Sequence, residues 1–147
     1  MNTSISTLLA QKSGGIFTVP STVTVAEAVK EMNARKVGSV LVMDGTRLAG
    51  IFTERDVLRR IVGDNVDPVT TPITKMMTAD VLTVTPSTTV QQVMDIFTEK
   101  HCRHLPVLDA GRLVGLISIG DVSRWVANAH RAEAESLRQY ISGGLST

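Results

Sequence analysis

Two tetrads in this chain place a hydroxyl residue three positions before an aspartate: Thr53-Glu54-Arg55-Asp56 and Ser118-Ile119-Gly120-Asp121. If the hydroxyl residue caps a helix, the aspartate falls at the third helical position. Both side chains then sit at the positive end of that helix. A carboxylate there can accept both hydroxyls of a vicinal diol such as a ribose, while the hydroxyl and the free backbone N–H groups meet sugar or phosphate oxygens. The same spacing is also how a helix start stabilises itself without any ligand. One tetrad alone does not separate the two readings, but the surrounding phrase recurs. GIFTERDV at Gly50–Val57 returns as GLISIGDV at Gly115–Val122, 65 positions later.

The recurrence extends over a whole unit. Aligned without gaps, Val25–Val57 and Val90–Val122 share Val25/Val90, Val42/Val107, Asp44/Asp109, Arg47/Arg112, Leu48/Leu113, Gly50/Gly115, Asp56/Asp121 and Val57/Val122. Upstream, Pro20-Ser21-Thr22 matches Pro86-Ser87-Thr88 with one residue dropped. Each copy begins with a short β segment, Phe17–Val19 or Leu82–Val84, halted by a proline that cannot donate to a ladder. A hydroxyl-rich turn offers an N-cap. Val25, Ala28, Val29 and Met32, like Val90, Val93, Met94 and Phe97, are apolar at helical spacing. The runs VGSVLVM and LPVL read as buried strands, and the glycine turns DGT and DAG lead into third strands at Arg47–Phe52 and Arg112–Ile117. Second helices start near Thr53 and Ser118. The order is β-α-β-β-α, written twice, an α/β (α+β) fold. A small sheet with two helices on one face does not easily hide its other surfaces alone, whereas two copies packed together can.

Around the copies, the pattern divides the chain into an N-terminal helical extension (1–14), a first repeat (15–62), a linker rich in Gly and Pro (63–75), a second repeat (76–127) and a C-terminal helical tail (128–147). In the extension, Ser4–Lys12 is expected as a short helix with Ile5, Leu8 and Leu9 on one side. Over Val122–Ile141, which runs into the tail, Trp125, Val126, Ala129, Leu137 and Tyr140 form the apolar part of a helix that packs either on its own module or on a second subunit.

Composition narrows the function classes. The chain has 147 residues, 43% hydrophobic and only 3% aromatic, so its core is aliphatic. Fifteen basic against fourteen acidic residues leave a net charge of +1, with no basic run, so nucleic acid is not an expected partner. The start lacks a basic region followed by a long apolar stretch, and no apolar run approaches the ~18 residues of a membrane helix. The single cysteine, Cys102, excludes an internal disulfide and fits a reducing compartment, so a cytoplasmic location is expected. His101, Cys102 and His104 invite a metal reading. Neighbouring side chains point apart, however, and no second cluster completes four ligands, so no metal is expected. No nucleophile elbow, phosphate-binding glycine loop or catalytic carboxylate pair is present, so no enzyme activity and no catalytic cofactor are expected.

The ordered phrases ITKMMTADVLTVTPSTTV, RHLPVLDAGRLVGLISIGDV and GSVLVMDGTRLAGIFTERDV resemble a pair of cystathionine-β-synthase (CBS) motifs, a tandem also called a Bateman module. The resemblance covers roughly residues 15–127 and is to the stand-alone CBS proteins of bacteria and archaea. It implies two repeats about a pseudo-twofold axis, with clefts between them that bind adenine nucleotides: AMP, ATP or NAD(H). It also implies that Asp56 and Asp121 are the ribose contacts, beside the Thr53 and Ser118 hydroxyls that can meet ribose or phosphate oxygens. Purine contacts, often through main-chain atoms, fall at Phe17, Thr18 and Val19, at Val37, Gly38 and Ser39, at Thr83 and Val84, and at Cys102 and His104. Plain strand packing is the competing reading for each. Arg103, three residues before Pro106, stands where the family often places a phosphate-binding Arg or His, with Arg55 as a helper. Their aligned partners are Gly38 and Gly120, so the copies are not equivalent, and either the Arg103 half is expected to prefer phosphate more strongly or one nucleotide is expected to borrow Arg103 across the interface. CBS pairs commonly form disc-shaped homodimers. The function expected on these grounds is a nucleotide-binding regulatory module that signals through packing or oligomeric state. The alternative is a protein–protein adaptor with vestigial clefts and an unidentified protein partner.

Overall fold

Thr24 closes the first turn of a helix by accepting the N–H of Glu27 at 3.2 Å while the Glu27 carboxylate accepts the N–H of Thr24. Thr89 and Gln92 repeat the arrangement at 3.1 and 2.9 Å. These reciprocal caps start the two long helices of the duplication in a computed structural model, which describes residues 2–12 and 15–145, with side chains as far as Ile141. In chain order the elements are α1 (Ile5–Gln11), β1 (Thr18–Pro20), α2 (Val25–Arg35), β2 (Ser39–Asp44), β3 (Arg47–Thr53), α3 (Glu54–Asp56, continued as a π-helix over Val57–Val62), α4 (Ile73–Met76), α5 (Val90–Lys100), β4 (His104–Asp109), β5 (Arg112–Ser118) and α6 (Ile119–Leu145). This is a mixed α+β fold. Both α2 and α5 end on a left-handed residue at the same repeat position, Lys36 (φ 56) and His101 (φ 54). Among the described residues no helix is long and apolar enough to cross a membrane.

The chain divides into two interleaved units. One comprises Ser13–Thr83 and Pro106–Gly115; the other comprises Met1–Lys12, Val84–Leu105 and Leu116–Thr147. In the first unit β2 lies between β1, its parallel partner, and β3, its antiparallel partner. Val25, Ala28 and Met32 of α2 pack with Val40 and Val42 of β2, Phe52 of β3, and Ile61 and Ile73. Burying an aliphatic or aromatic side chain of this size stabilises by roughly 1.5–3 kcal/mol.

Residues 63–75, which by composition read as a linker, have work at the start of α2. Val25 N–H donates to the Thr71 carbonyl at 2.9 Å, Ala26 N–H to Pro68 at 2.9 Å, and Ile73 N–H to the Val23 carbonyl at 3.0 Å. They satisfy amide groups that a helix start leaves without intrahelical partners. The second unit contains the same device. Val90 N–H donates to Thr3 and Ile5 N–H to Thr88, both at 2.8 Å, and Ile5 and Leu8 of α1 are buried. Thr3-Ser4-Ile5 thus does for α5 what Thr71-Pro72-Ile73 does for α2.

One expected strand is absent. Val84 makes only a lone bridge, and Leu82–Val84 is no strand, whereas the first copy forms β1, shifted by one residue from the expected Phe17–Val19. The copies differ in sequence at the residue that holds β1 in the first. In the first copy Leu41 donates its N–H to the Phe17 carbonyl at 3.1 Å. The aligned residue in the second copy is Pro106, which has no N–H to give.

Candidate functional site

At Thr53 the chain leaves β3 and turns into α3. The hydroxyl of Thr53 accepts the Asp56 N–H at 3.3 Å, and Asp56 Oδ2 accepts the Thr53 N–H at 2.9 Å. The capping reading is therefore realised, and it fixes the carboxylate rather than consuming it. Among the described residues Asp56 Oδ1 has a single charged neighbour, the Arg60 Nε at 3.7 Å, beyond hydrogen-bond distance. Arg60 instead directs Nη1 at the carbonyls of Met76 and Met77, at 3.1 and 3.0 Å. The Asp56 side chain is only 12% exposed. The turn is held from the neighbouring strand, because the Gly38 carbonyl accepts the Glu54 N–H at 2.9 Å.

The second copy reproduces this frame. Ser118 N–H donates to Asp121 Oδ2 at 2.9 Å, Asp121 N–H donates to the Ser118 hydroxyl at 3.1 Å, and the Arg103 carbonyl accepts the Ile119 N–H at 3.0 Å. Gly38 and Arg103 thus do the same backbone job at the same repeat position despite their different side chains. The surroundings of the carboxylate differ. Asp121, 7% exposed, receives the Lys12 ammonium on Oδ2 at 3.0 Å and the Arg124 guanidinium on Oδ1 at 2.6 Å. Lys12 also donates to the Leu116 carbonyl at 2.8 Å. Burial works to raise the Asp121 pKa, but the Ser118 amide and the Lys12 ammonium outweigh it, and the carboxyl titrates below its ordinary value.

The other candidates separate by unit. The first unit holds Phe17, Thr18, Val19, Val37, Gly38, Ser39, Thr53, Arg55, Asp56, Thr83 and Pro106. Ser39 is buried and pairs in register with Thr53, so the β2 residues and the tetrad are brought together. Thr18 and Val19 line an open cavity of about 850 Å³ with Pro20, Met43, Gly45, Thr46, Arg112 and Leu113. Phe17 lies under the Arg35 guanidinium, 5.3 Å from the ring centre. Val37 and Gly38 are half-buried, Pro106 is buried, and Arg55 and Thr83 are exposed. The second unit holds Val84, Cys102, Arg103, His104, Ser118 and Asp121. Val84 is buried, Arg103 is exposed, and Cys102 and His104 are half-buried. Burial pushes the Cys102 thiol pKa up, which lowers its thiolate fraction.

Three charged residues at the tetrads were not among the candidates: Lys12, Arg60 and Arg124. Arg60 and Arg124 follow their aspartates by four and three positions and were legible as one-turn neighbours on a helix. Lys12 carried only a faint signal, the echo of Thr3-Ser4-Ile5 in Thr71-Pro72-Ile73.

Comparison with known proteins bears on the duplication. The CBS domain model matches residues 13–63 and again 73–128. A mitochondrial CBS domain-containing protein of Arabidopsis thaliana is 40% identical over 126 residues, covering 82% of this chain but 61% of that protein, so the chain spans less than two thirds of its length. A solved structure of a protein with CBS domains from Burkholderia ambifaria superposes with a TM-score of 0.81 at 41% identity, over 84% of this chain and 93% of that one. A CBS domain protein from Pyrobaculum aerophilum, solved in complex with AMP, superposes with a TM-score of 0.72 at 25% identity, over 80% of this chain and 88% of that one. The two family matches take in the two copies with their hydroxyl–aspartate tetrads, and the chain belongs to the CBS domain family.

Proposed function

We propose that this chain is a non-catalytic regulatory module that binds adenine nucleotides, AMP, ATP or NAD(H), through the ribose diol at Asp56 and Asp121 and signals by a change in packing or in a homodimeric state. The single observation that carries the reading is the twice-built helix start. A nearly buried carboxylate is held by its own cap, and in the first copy one of its oxygens has no hydrogen-bond donor within reach among the described residues. A capping aspartate needs no such spare acceptor, whereas a diol does. The AMP complex of the Pyrobaculum relative supports the class of ligand. Phe17–Val19, Val37–Ser39, Thr83, Val84, Cys102 and His104 are assigned to the purine, Arg103 and Arg55 to phosphate. We assign the chain to the cytoplasm on its lone, unpaired Cys102.

Calorimetric titration of the full chain with AMP, ATP and NADH tests this. Micromolar binding corresponds to about −8 kcal/mol. Asp56→Asn should weaken it roughly tenfold or more, because an amide replaces a charged acceptor. Silence from all three ligands at millimolar concentration overturns the reading.

A second reading has its own observation. Leu137, Tyr140 and Ile141 on α6 share one helical face and are 61%, 79% and 52% exposed. Such a stripe suits an adaptor that docks another chain. A truncation before Leu137 that leaves both the solution mass and the nucleotide affinity unchanged removes that role.

A further inference from the structure

The two repeated carboxylates are not equally available. Asp56 Oδ2 accepts the Thr53 N–H at 2.9 Å and the Thr53 hydroxyl at 3.2 Å, and among the described residues Oδ1 meets only the distant Arg60 Nε at 3.7 Å. Asp121 carries two cations at hydrogen-bond distance. Oδ2 accepts both the Ser118 N–H at 2.9 Å and the Lys12 ammonium at 3.0 Å, and Oδ1 accepts Arg124 at 2.6 Å. Each carboxylate oxygen offers two lone-pair sites, so Oδ2 is full and Oδ1 has one left. A diol needs two. One hydroxyl can go to Oδ1, and the second needs a cation to move, Lys12 from Oδ2 or Arg124 from Oδ1.

Displacement has a chemical condition. The Lys12 ammonium sits on a flexible four-carbon stem, and its side chain is 33% exposed. It can keep one donor on the Leu116 carbonyl, where it already bonds at 2.8 Å, but it loses its salt-bridge anion. A neutral nucleoside offers nothing in exchange. A nucleoside 5′-phosphate brings an anion of its own. We propose that Lys12 is a specificity-determining residue at the Asp121 half, exchanging the Asp121 carboxylate for a ligand phosphate and so selecting phosphorylated over unphosphorylated nucleosides. The inference rests on the nucleotide reading above and adds to it a discriminating residue in α1's C-terminal flank, outside both repeats. The Asp56 half has no counterpart, because its nearest cation, Arg60, is held by the Met76 and Met77 carbonyls.

The test is calorimetric titration of the full chain with AMP and with adenosine, in wild type, Lys12→Met and Lys12→Arg. Wild type should bind AMP about tenfold tighter than adenosine or better. Lys12→Met should lose about tenfold for AMP and bind adenosine as tightly as wild type or more so, since no cation needs displacing. Lys12→Arg should keep the preference. Binding of both ligands with an unchanged ratio in Lys12→Met overturns the inference alone. So does an equal loss for both ligands, which marks Lys12 as merely structural, and so does a wild type without preference. Absence of AMP and adenosine binding by all three proteins overturns this inference; the nucleotide reading falls with it only if ATP and NADH are silent as well.

Discussion

Lys12 Nζ lies 3.0 Å from Asp121 Oδ2, joining the residue that follows α1 to the first turn of α6 across 109 positions of sequence. Asp121 is faced by Lys12 from that flank and by Arg124 from its own helix. Its native pKa is lowered, so the unfolded chain binds the proton more readily than the native one. The stability this carboxylate contributes is present above the unfolded value near ~3.9 and is lost as pH falls through the lower native value. Lys12→Met raises the native pKa and should shrink that contribution. Urea unfolding at several pH values between neutral and strongly acidic should show wild type and Lys12→Met separated near neutrality and converging in acid. A gap that stays constant with pH would mean that the Lys12 charge does not act on Asp121.

Gly50 is required by an approach too close for any side chain. A Cβ there would sit 2.7 Å from the Thr78 carbonyl oxygen and 2.6 Å from the Met77 sulfur. The sulfur can move; the carbonyl cannot do so freely, because Ile51 and Thr78 exchange two backbone hydrogen bonds at 3.0 and 2.9 Å. Gly50→Ala should therefore cost about 1–3 kcal/mol, the range for overpacking, measured by denaturant unfolding. A neutral result would show that the residue 77–78 segment gives way.

The turn after β4 uses an alanine where the first copy uses glycine. Ala110 has φ 50 and the aligned Gly45 φ 62. The left-handed conformation costs a residue with a Cβ about 1 kcal/mol, partly offset by the greater freedom glycine brings to the unfolded chain. Ala110→Gly should gain about 0.5 kcal/mol. Gly45→Ala should by the same balance lose about 0.5 kcal/mol, although a Cβ at 45 meets nothing within 4 Å. Opposite signs in thermal unfolding are the signature; a loss in both would exclude backbone strain as the cause.

Much of the fold was legible because its signals are local. The helical spacing of Val25, Ala28 and Met32, and of Val90, Val93 and Phe97, places α2 and α5 at the observed positions, and those side chains are buried. The tetrads were legible as helix starts for the same reason: hydroxyl and aspartate find each other across three residues. Leu82–Val84 misled because its β propensity is real but its ladder depended on a residue elsewhere, and Pro106 withholds the N–H that Leu41 supplies in the first copy. Residues 63–75 read as a linker because Gly63, Asn65, Pro68 and Pro72 punctuate them, while the hydrogen bonds of Pro68, Thr71 and Ile73 to the head of α2 leave no mark in composition.

The amino-acid order by itself determined the duplication, the α-β-β-α order that both copies share and the two capped aspartates, since each follows from contacts within a few residues or from identity at one offset. Tertiary structure alone decided which segment serves which helix. Thr3 lies 87 positions from the Val90 amide it accepts, and no local propensity encodes that pairing. It decided equally that one aspartate keeps an oxygen with no donor in reach while the other is held by Lys12. A carboxylate's charge environment depends on distance in space, and the lysine that sets it comes from a different part of the chain.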